Sequence, residues 1–341
     1  MASSTPASAS TEPPPEPSAG AASKSVSEPS AEPSAGAVSE PVSGSSPGFR
    51  WGRRSGLRRG RGSGAWHELR RRPSFLVPAA FALLVCVMAA VPQAFAGWFG
   101  HGDPRRCDLA DSALPPAPGH PFGFDIQGCD LYSNVVYGAR SSVLIAILAT
   151  AGMLVVAVVL GGVAGYFRGW VDALVSRVMD VFFGFPSLVG MIVILQTLSV
   201  HNEPAVAGVL VLFGWPVLAR VMRGSVLATA SSEYVTAARG IGASAPRILL
   251  RHVLPNSFGP VAVLASLNVG LVIASESALT FLGVGLRTPA ISWGVQLNTA
   301  QQYFTSAPHL LIFPSVFLTV TVLSFVLLGD ALRDAFDPRL R

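Results

Sequence analysis

The sequence predicts an all-α membrane protein, with six transmembrane helices behind a disordered N-terminal tail. Three observations carry this. Half of the 341 residues are hydrophobic and only 13% are charged, well below the roughly 25% of a soluble domain, and mean hydropathy is +0.51. Apolar stretches recur at lengths that suit a bilayer, whose hydrocarbon core of about 30 Å takes about 20 helical residues. The basic residues are nearly all arginine, and they gather between alternate stretches, the pattern the positive-inside rule produces.

Residues 1–48 are Ser, Ala, Pro and Glu in near-repeats such as SEPSAEPSAGAVSEPVS. They have almost no aliphatic side chains to bury and are expected to stay disordered. Residues 49–74 form a juxtamembrane segment with nine arginines between Arg50 and Arg72. A basic run can bind nucleic acid, but this one abuts an apolar stretch. It is read as an anchor for anionic membrane lipid and an orientation signal, with no nucleic-acid partner.

The spans are placed at 75–99, 141–167, 175–198, 205–221, 258–282 and 310–328. The fourth is the shortest and contains Gly-Trp-Pro. The first also ends in AFAG, like a secretory signal cleaved after Ala96, but the region before it is far too long for an ordinary signal. With the N-terminus in the cytoplasm, about nineteen arginines fall inside and four (Arg105, Arg106, Arg140 and Arg287) outside. Both termini, the tail 331–341 and the segment 233–256 are then cytoplasmic. Loops 100–140 and 283–308 are external, in a multi-pass protein of the cytoplasmic membrane.

Cys86 lies in an apolar stretch and packs as a small hydrophobe. Cys107 and Cys129 share the external loop, where a disulfide and two free thiols both fit. The chain contains no GxxxxGK[ST], so it has no phosphate loop of that kind. No nucleophile–base set and no His/Cys metal spacing stands out. The chain is read as a transporter or scaffold rather than an enzyme, with no cofactor and no metal of its own.

Polar residues inside spans are the candidate pathway residues. Glu276, in LVIASESALTFLG, is either a pathway or gating group or a hydrogen-bonded structural glutamate near the external end. Asn268 suits helix-to-helix glue better. Asp180, at the cytoplasmic edge of the third span, is a solvated edge charge, a helix cap or a partner of Arg177. Gly161 and Gly165 form a small-xxx-small pair that favours close helix packing.

The most distinctive stretch is EYVTAARGIGASAPRILLRHVLPN, 233–256. A helix from about residue 223 to 239 is expected to break at 240–244, because glycine tolerates φ > 0. Ser244 can cap the next helix and Pro246 suits its first turn. Arg247 and Arg251 then share one face, while Ile248, Leu249 and Val253 are apolar. Pro255 is expected to end this short helix before the fifth span starts. Such a rod could rest on headgroups or transmit force between two spans, and spacing alone does not choose.

This stretch resembles the EAA loop of importer-type ATP-binding-cassette (ABC) permeases. Ala237, Ala238, Gly242, Leu254 and Pro255 match its pattern. Thr236 stands where Glu is usual, with Glu233 one turn earlier as its substitute, and RHVLPN resembles the RHILPN form of the peptide-transport branch. HPFGFDIQGCDLYSNVVYGARSSV (120–143), FLGVGLRTPAISWG (281–294) and LLGDALRDAFDPRLR (327–341) resemble segments of the C-type permeases for dipeptides, oligopeptides or nickel chelates. In the first of these Cys129 replaces Arg, which favours pairing with Cys107.

The resemblance, over 75–341, implies the type I importer (MetI-like) fold, with five of its helices in a core at 141–330. It implies a heterodimer with a second homologous permease, two ABC ATPase subunits that use ATP and Mg, and an extracytoplasmic substrate-binding protein. It places ATPase coupling in a helix at about 243–251, with Glu233, Ala237, Ala238, Gly242, Arg247, Ile248, Leu249, Arg251, Leu254 and Pro255 as the coupling residues. The alternative is an ion-coupled carrier or membrane scaffold without an ATPase, for which Glu276 is the main support.

Overall fold

The computed structural model describes residues 73–336, all within one unit that spans 58–341. The expectations for the tail, the arginine-rich segment and residues 337–341 lie outside the described residues. The helices are α1 (Pro73–Ala90), α2 (Pro92–Ala96), α3 (Leu131–Phe167), α4 (Gly169–Gly184), α5 (Ser187–Thr197), α6 (Glu203–Ala230), α7 (Glu233–Gly240), α8 (Ala245–Phe281), α9 (Trp293–Ala300) and α10 (His309–Phe336). Among the described residues there is no strand, only isolated bridges in the loop before α3. Helices suit a bilayer because each satisfies its own backbone donors and acceptors where no water is available.

Five helices, α1, α3, α6, α8 and α10, are each long and apolar enough to cross a membrane. The expected third span is instead two helices, α4 and α5, meeting at 88°. The break falls at Phe185-Pro186. Phe185 is extended (φ −96°, ψ 134°), because a following proline disfavours the helical region, and Pro186 is the N-cap of α5. The expected fourth span, by contrast, is longer than its sequence suggests. Helix α6 has 28 residues and carries Pro216 in its interior, with Trp215, Pro216, Leu218 and Ala219 all buried. Packing on neighbours holds the helix together through the proline.

Helix α3 starts ten residues before the expected 141. Its first turns look polar, but Asp130 caps them, its carboxylate accepting from the Ser133 amide at 2.9 Å. Residues Leu131 to Val136 are all buried. The loop before it is tied down. Cys107 and Cys129 form a disulfide, His120 Nδ1 lies 2.9 Å from Asp130 Oδ1, and Phe122 stacks on Phe313 of α10 with ring centroids 4.1 Å apart.

Helices α3 and α8 form the centre. Helix α3 packs on α1, α6 and α8, while α8 packs on α3, α6, α9 and α10. Helices α4 and α5 lean on one side only, against α6 and the end of α3. The approach of α3 to α6 depends on Gly161 and Gly165. A Cβ at Gly161 would sit 2.5 Å from the Ala219 carbonyl oxygen, and one at Gly165 2.7 Å from that of Arg223. Only glycine permits this backbone-to-backbone contact.

A test follows from this contact. Gly165→Leu is expected to lower the melting temperature of the detergent-solubilised protein, through an overpacking cost of about 1–3 kcal/mol. Gly224→Ala, on the same interface helix but with nothing within 4 Å of its added carbon, should leave it unchanged or slightly raised. Equal melting of the two variants would refute the packing role.

Candidate functional site

The segment between α6 and α8 folds as a small peg. Helix α6 stops at Ala230, where the Ser232 hydroxyl donates to the Thr229 carbonyl at 2.6 Å, and α7 restarts at Glu233. The expected continuous helix from 223 to 239 is therefore broken at Ser231–Ser232. Val235 and Ala238 are the buried face of α7 and hold it to the bundle. Glu233, Tyr234, Thr236, Ala237 and Arg239 are exposed.

The end of α7 is a Schellman turn. The Ala243 amide donates to the Ala238 carbonyl at 3.1 Å and the Gly242 amide to the Arg239 carbonyl at 3.0 Å. That places Gly242 at the left-handed position after the cap, with φ +81°, where glycine is the residue without a Cβ penalty. Gly240, by contrast, remains helical. Ile241 is pushed to the tip, 86% exposed. A cleft of about 580 Å³ lies beside it, bordered by Tyr234, Ile241, Arg247, Arg251 and His252.

The second half of the segment departs from expectation. Pro255 does not end a short helix, and residues Ala245–Phe281 run as one helix of 37 residues. A π turn at Leu249–Val253 precedes the proline. Its wider i→i+5 pattern accommodates a residue with no N–H to give and a ring that crowds the preceding turn. The Asn256 amide group donates to the His252 carbonyl at 2.6 Å. Ser244 is the N-cap by backbone position but makes no side-chain cap. Ile248, Leu249 and Val253 are buried in this chain's own bundle. The separate short helix of the segment is therefore α7 and not 243–251. Of the residues assigned to coupling, Ile248 and Leu249 serve as internal anchors. Leu254 is half-buried and packs near Gly162, and Pro255, Arg247 and Arg251 are exposed.

Ion pairs invisible in the sequence brace the same end. Arg223 of α6 makes a two-point contact with Asp172 of α4, Nη2 donating to Oδ2 at 2.7 Å and Nε to Oδ1. Asp180 pairs with Arg220 at 3.4 Å and more loosely with Arg177 at 4.0 Å. Arg220 also lies over the Phe183 ring, 3.9 Å from its centroid. The partners are 40 and 51 residues apart along the chain, so no local pattern signals them.

Glu276 is 0% exposed. Its carboxyl oxygens accept from Ser142 of α3 at 3.3 Å, from Ser277 at 3.2 Å and from Thr280 at 3.0 Å. The Thr280 oxygen in turn accepts from the Leu286 amide at 3.1 Å, and Trp293 Nε1 donates to the Val135 carbonyl at 2.9 Å. This network ties α3, α8 and the loop to α9. Glu276 is thus enclosed within this chain, with hydrogen bonds to both carboxyl oxygens. Asn268 also faces α3, its Nδ2 3.1 Å from Met153 Sδ, and acts as glue. Among the described residues no group of three or more His, Cys, Asp or Glu converges as a metal site.

Residues 157–341, from the middle of α3 through the peg to the C-terminus, match the family described as binding-protein-dependent transport system inner membrane component. The chain is 36% identical over 226 residues to the dipeptide transport system permease protein DppC of Alkalihalophilus pseudofirmus, covering 66% of this chain and 74% of that protein. It is 34% identical over 277 residues to the glutathione transport system permease protein GsiD of Escherichia coli, covering 81% and 90%. It is likewise 34% identical over 278 residues to DppC of Bacillus subtilis, covering 81% and 85%. The chain belongs to the binding-protein-dependent transport system inner membrane components: it is the permease subunit of an ABC importer, a transporter subunit and not an enzyme, in a family that works with separate ATPase and substrate-binding subunits.

Proposed function

We propose that this permease forms half of the pathway of an ATP-driven importer for dipeptides, oligopeptides or a similar small solute, paired with a second, similar permease. Two ATPase subunits stand on the cytoplasmic side, which is the side of α7, and a binding protein delivers cargo to the opposite side. Both termini are cytoplasmic. The observation that carries this reading is the peg itself. Helix α7 packs on the bundle through buried Val235 and Ala238, and its other face and its cap present Tyr234 and Ile241 beside Arg247 and Arg251. An apolar tip flanked by cations suits docking on a protein surface. The chain holds no phosphate loop, so ATP energy reaches it only through such a contact. The relatives named for dipeptide and glutathione transport support a peptide cargo. Glu276 gives no support to an ion-coupled carrier, because its carboxyl is enclosed and fully engaged.

Three outcomes are expected. Gly242→Val forces a branched side chain into the left-handed region at about 1–2 kcal/mol, roughly a tenfold loss in the native turn population. Uptake and ATPase co-purification should both fall while the protein still reaches the membrane. Unchanged uptake would remove the coupling role. Arg247→Cys, in a Cys86→Ser background, should react with an impermeant maleimide only in inverted vesicles. Labelling of intact cells would reverse the orientation. Glu276→Gln should retain ATP-driven uptake that survives collapse of the proton gradient. Gradient-dependent uptake in the unmodified protein would restore the ion-coupled carrier.

A further inference from the structure

The end of the bundle opposite α7 holds two cavities that coupling does not use. The first, of about 300 Å³, is bordered by Asp125, Asn134, Gln296 and Thr299. The second, of about 320 Å³, is bordered by Tyr137, Arg140, Ser141 and Glu203. Arg105 and loop residues 289–291 border both, so the two adjoin. Their volumes fall at the lower end of small-molecule sites, about 300–1,000 Å³, which favours a compact ligand over a protein segment.

Each cavity keeps polar groups unspent. Gln296 uses Nε2 on the Asn134 carbonyl at 2.7 Å, but its Oε1 is buried without a partner. A buried acceptor in that state is costly unless a ligand donates to it. Asp125 Oδ1 accepts from the Gln127 and Cys129 amides, both at 2.8 Å. Its Oδ2 has only a long bond of 3.4 Å from Asn134. Burial pushes the Asp125 carboxyl above the usual carboxylate range, against the backbone donors that oppose it, and a cation alongside would relieve that. In the second cavity the exposed guanidinium groups of Arg105 and Arg140 have no ion-pair partner among the described residues. Glu203 is already engaged by the Ser141 hydroxyl at 3.2 Å.

We propose that the adjoining cavities form a site for a zwitterionic peptide of two or three residues, with its ammonium group at Asp125 and Gln296 and its carboxylate at Arg140 and Arg105. The spacing agrees. Asn134 and Arg140 are six positions apart on α3, about 9 Å along the axis at 1.5 Å per residue. An extended peptide covers about 3.3–3.6 Å per residue, about 10 Å for a tripeptide and about 7 Å for a dipeptide. The long Arg140 side chain makes up the dipeptide's shortfall, because helical side chains lean toward the N-terminus. A free amino acid, at about 3.5 Å, is too short. The inference rests on the peptide-importer reading and adds a recognition site in the permease itself.

Dialanine is the probe. ATP-driven uptake of radiolabelled dialanine by proteoliposomes that hold the complete importer is measured first, and its absence would sink the importer reading and this site together. Binding of dialanine, N-acetyl-dialanine and dialanine amide to the permease–ATPase complex in lipid nanodiscs, without binding protein, is measured next. Dialanine should bind at least about tenfold more tightly than either blocked form, as expected for losing a hydrogen bond to a charged group. Arg140→Gln should abolish the discrimination against the amide, and Gln296→Leu or Asp125→Asn that against the acetyl form. Arg106→Gln, outside both cavities, should change neither. With uptake intact, equal binding of free and blocked forms, or unaltered discrimination in the Arg140 variant, overturns the site alone. Loss of binding-protein docking in Arg105→Gln with unchanged dialanine affinity also overturns it, in favour of a protein-docking surface.

Discussion

One uninterrupted helix joins the two ends of this permease. Helix α8 leaves the Gly242 turn at Ala245 and reaches the Glu276 network and the loop to α9 at Phe281. At 1.5 Å per residue it is about 55 Å long, well beyond a hydrocarbon core of about 30 Å. Beyond the Gly242 turn, α8 therefore runs to the far end without a loop of its own. Continuity across Pro255 is the condition for this, and the π turn at Leu249–Val253 supplies it.

The polar groups within the bundle follow from the same solvent argument. An unpaired carboxyl in lipid is costly, so Glu276 is surrounded by three hydroxyl donors and Asp172 by the Arg223 fork. The first fixes α3 against α8, the two helices that carry most of the packing. The second is of another kind, because it joins the body of the bundle to α4, beside the Asp180–Arg220 pair and the contacts of Phe182 and Phe183 with α6. Helices α4 and α5 leave many apolar side chains uncovered, Trp170, Val181 and Val193 among them. In that setting an ion pair fixes angle and register more than it contributes stability.

The opposite end is built to stay rigid. The disulfide between Cys107 and Cys129 closes the loop over the start of α3, and Asp130 caps that helix while it accepts from Ser133 and faces His120. The loop residues that border the two cavities, Arg105 and Asp125 among them, are thus tied by the disulfide and by Asp130 to the start of α3.

The sequence by itself determined the class of the protein, most of its membrane helices and the place of the Gly242 turn. Those follow from the lipid requirement for long apolar helices, from arginine placement and from the Gly242 pattern, all of which are local. The break at Phe185-Pro186 was also written locally, but the same residue type sits unbroken in α6 at Pro216 and in α8 at Pro255. Whether a proline breaks a membrane helix depends on the neighbours that hold it, and these are tertiary. Only the tertiary structure decided that α7 is a separate helix, that Ile248 and Leu249 turn inward, and that Glu276 is enclosed among hydroxyl donors. It alone paired Asp172 with Arg223 and brought Asp125, Gln296, Arg105 and Arg140 to one end. Helical periodicity states which residues share a face, and only the packed bundle states what that face meets.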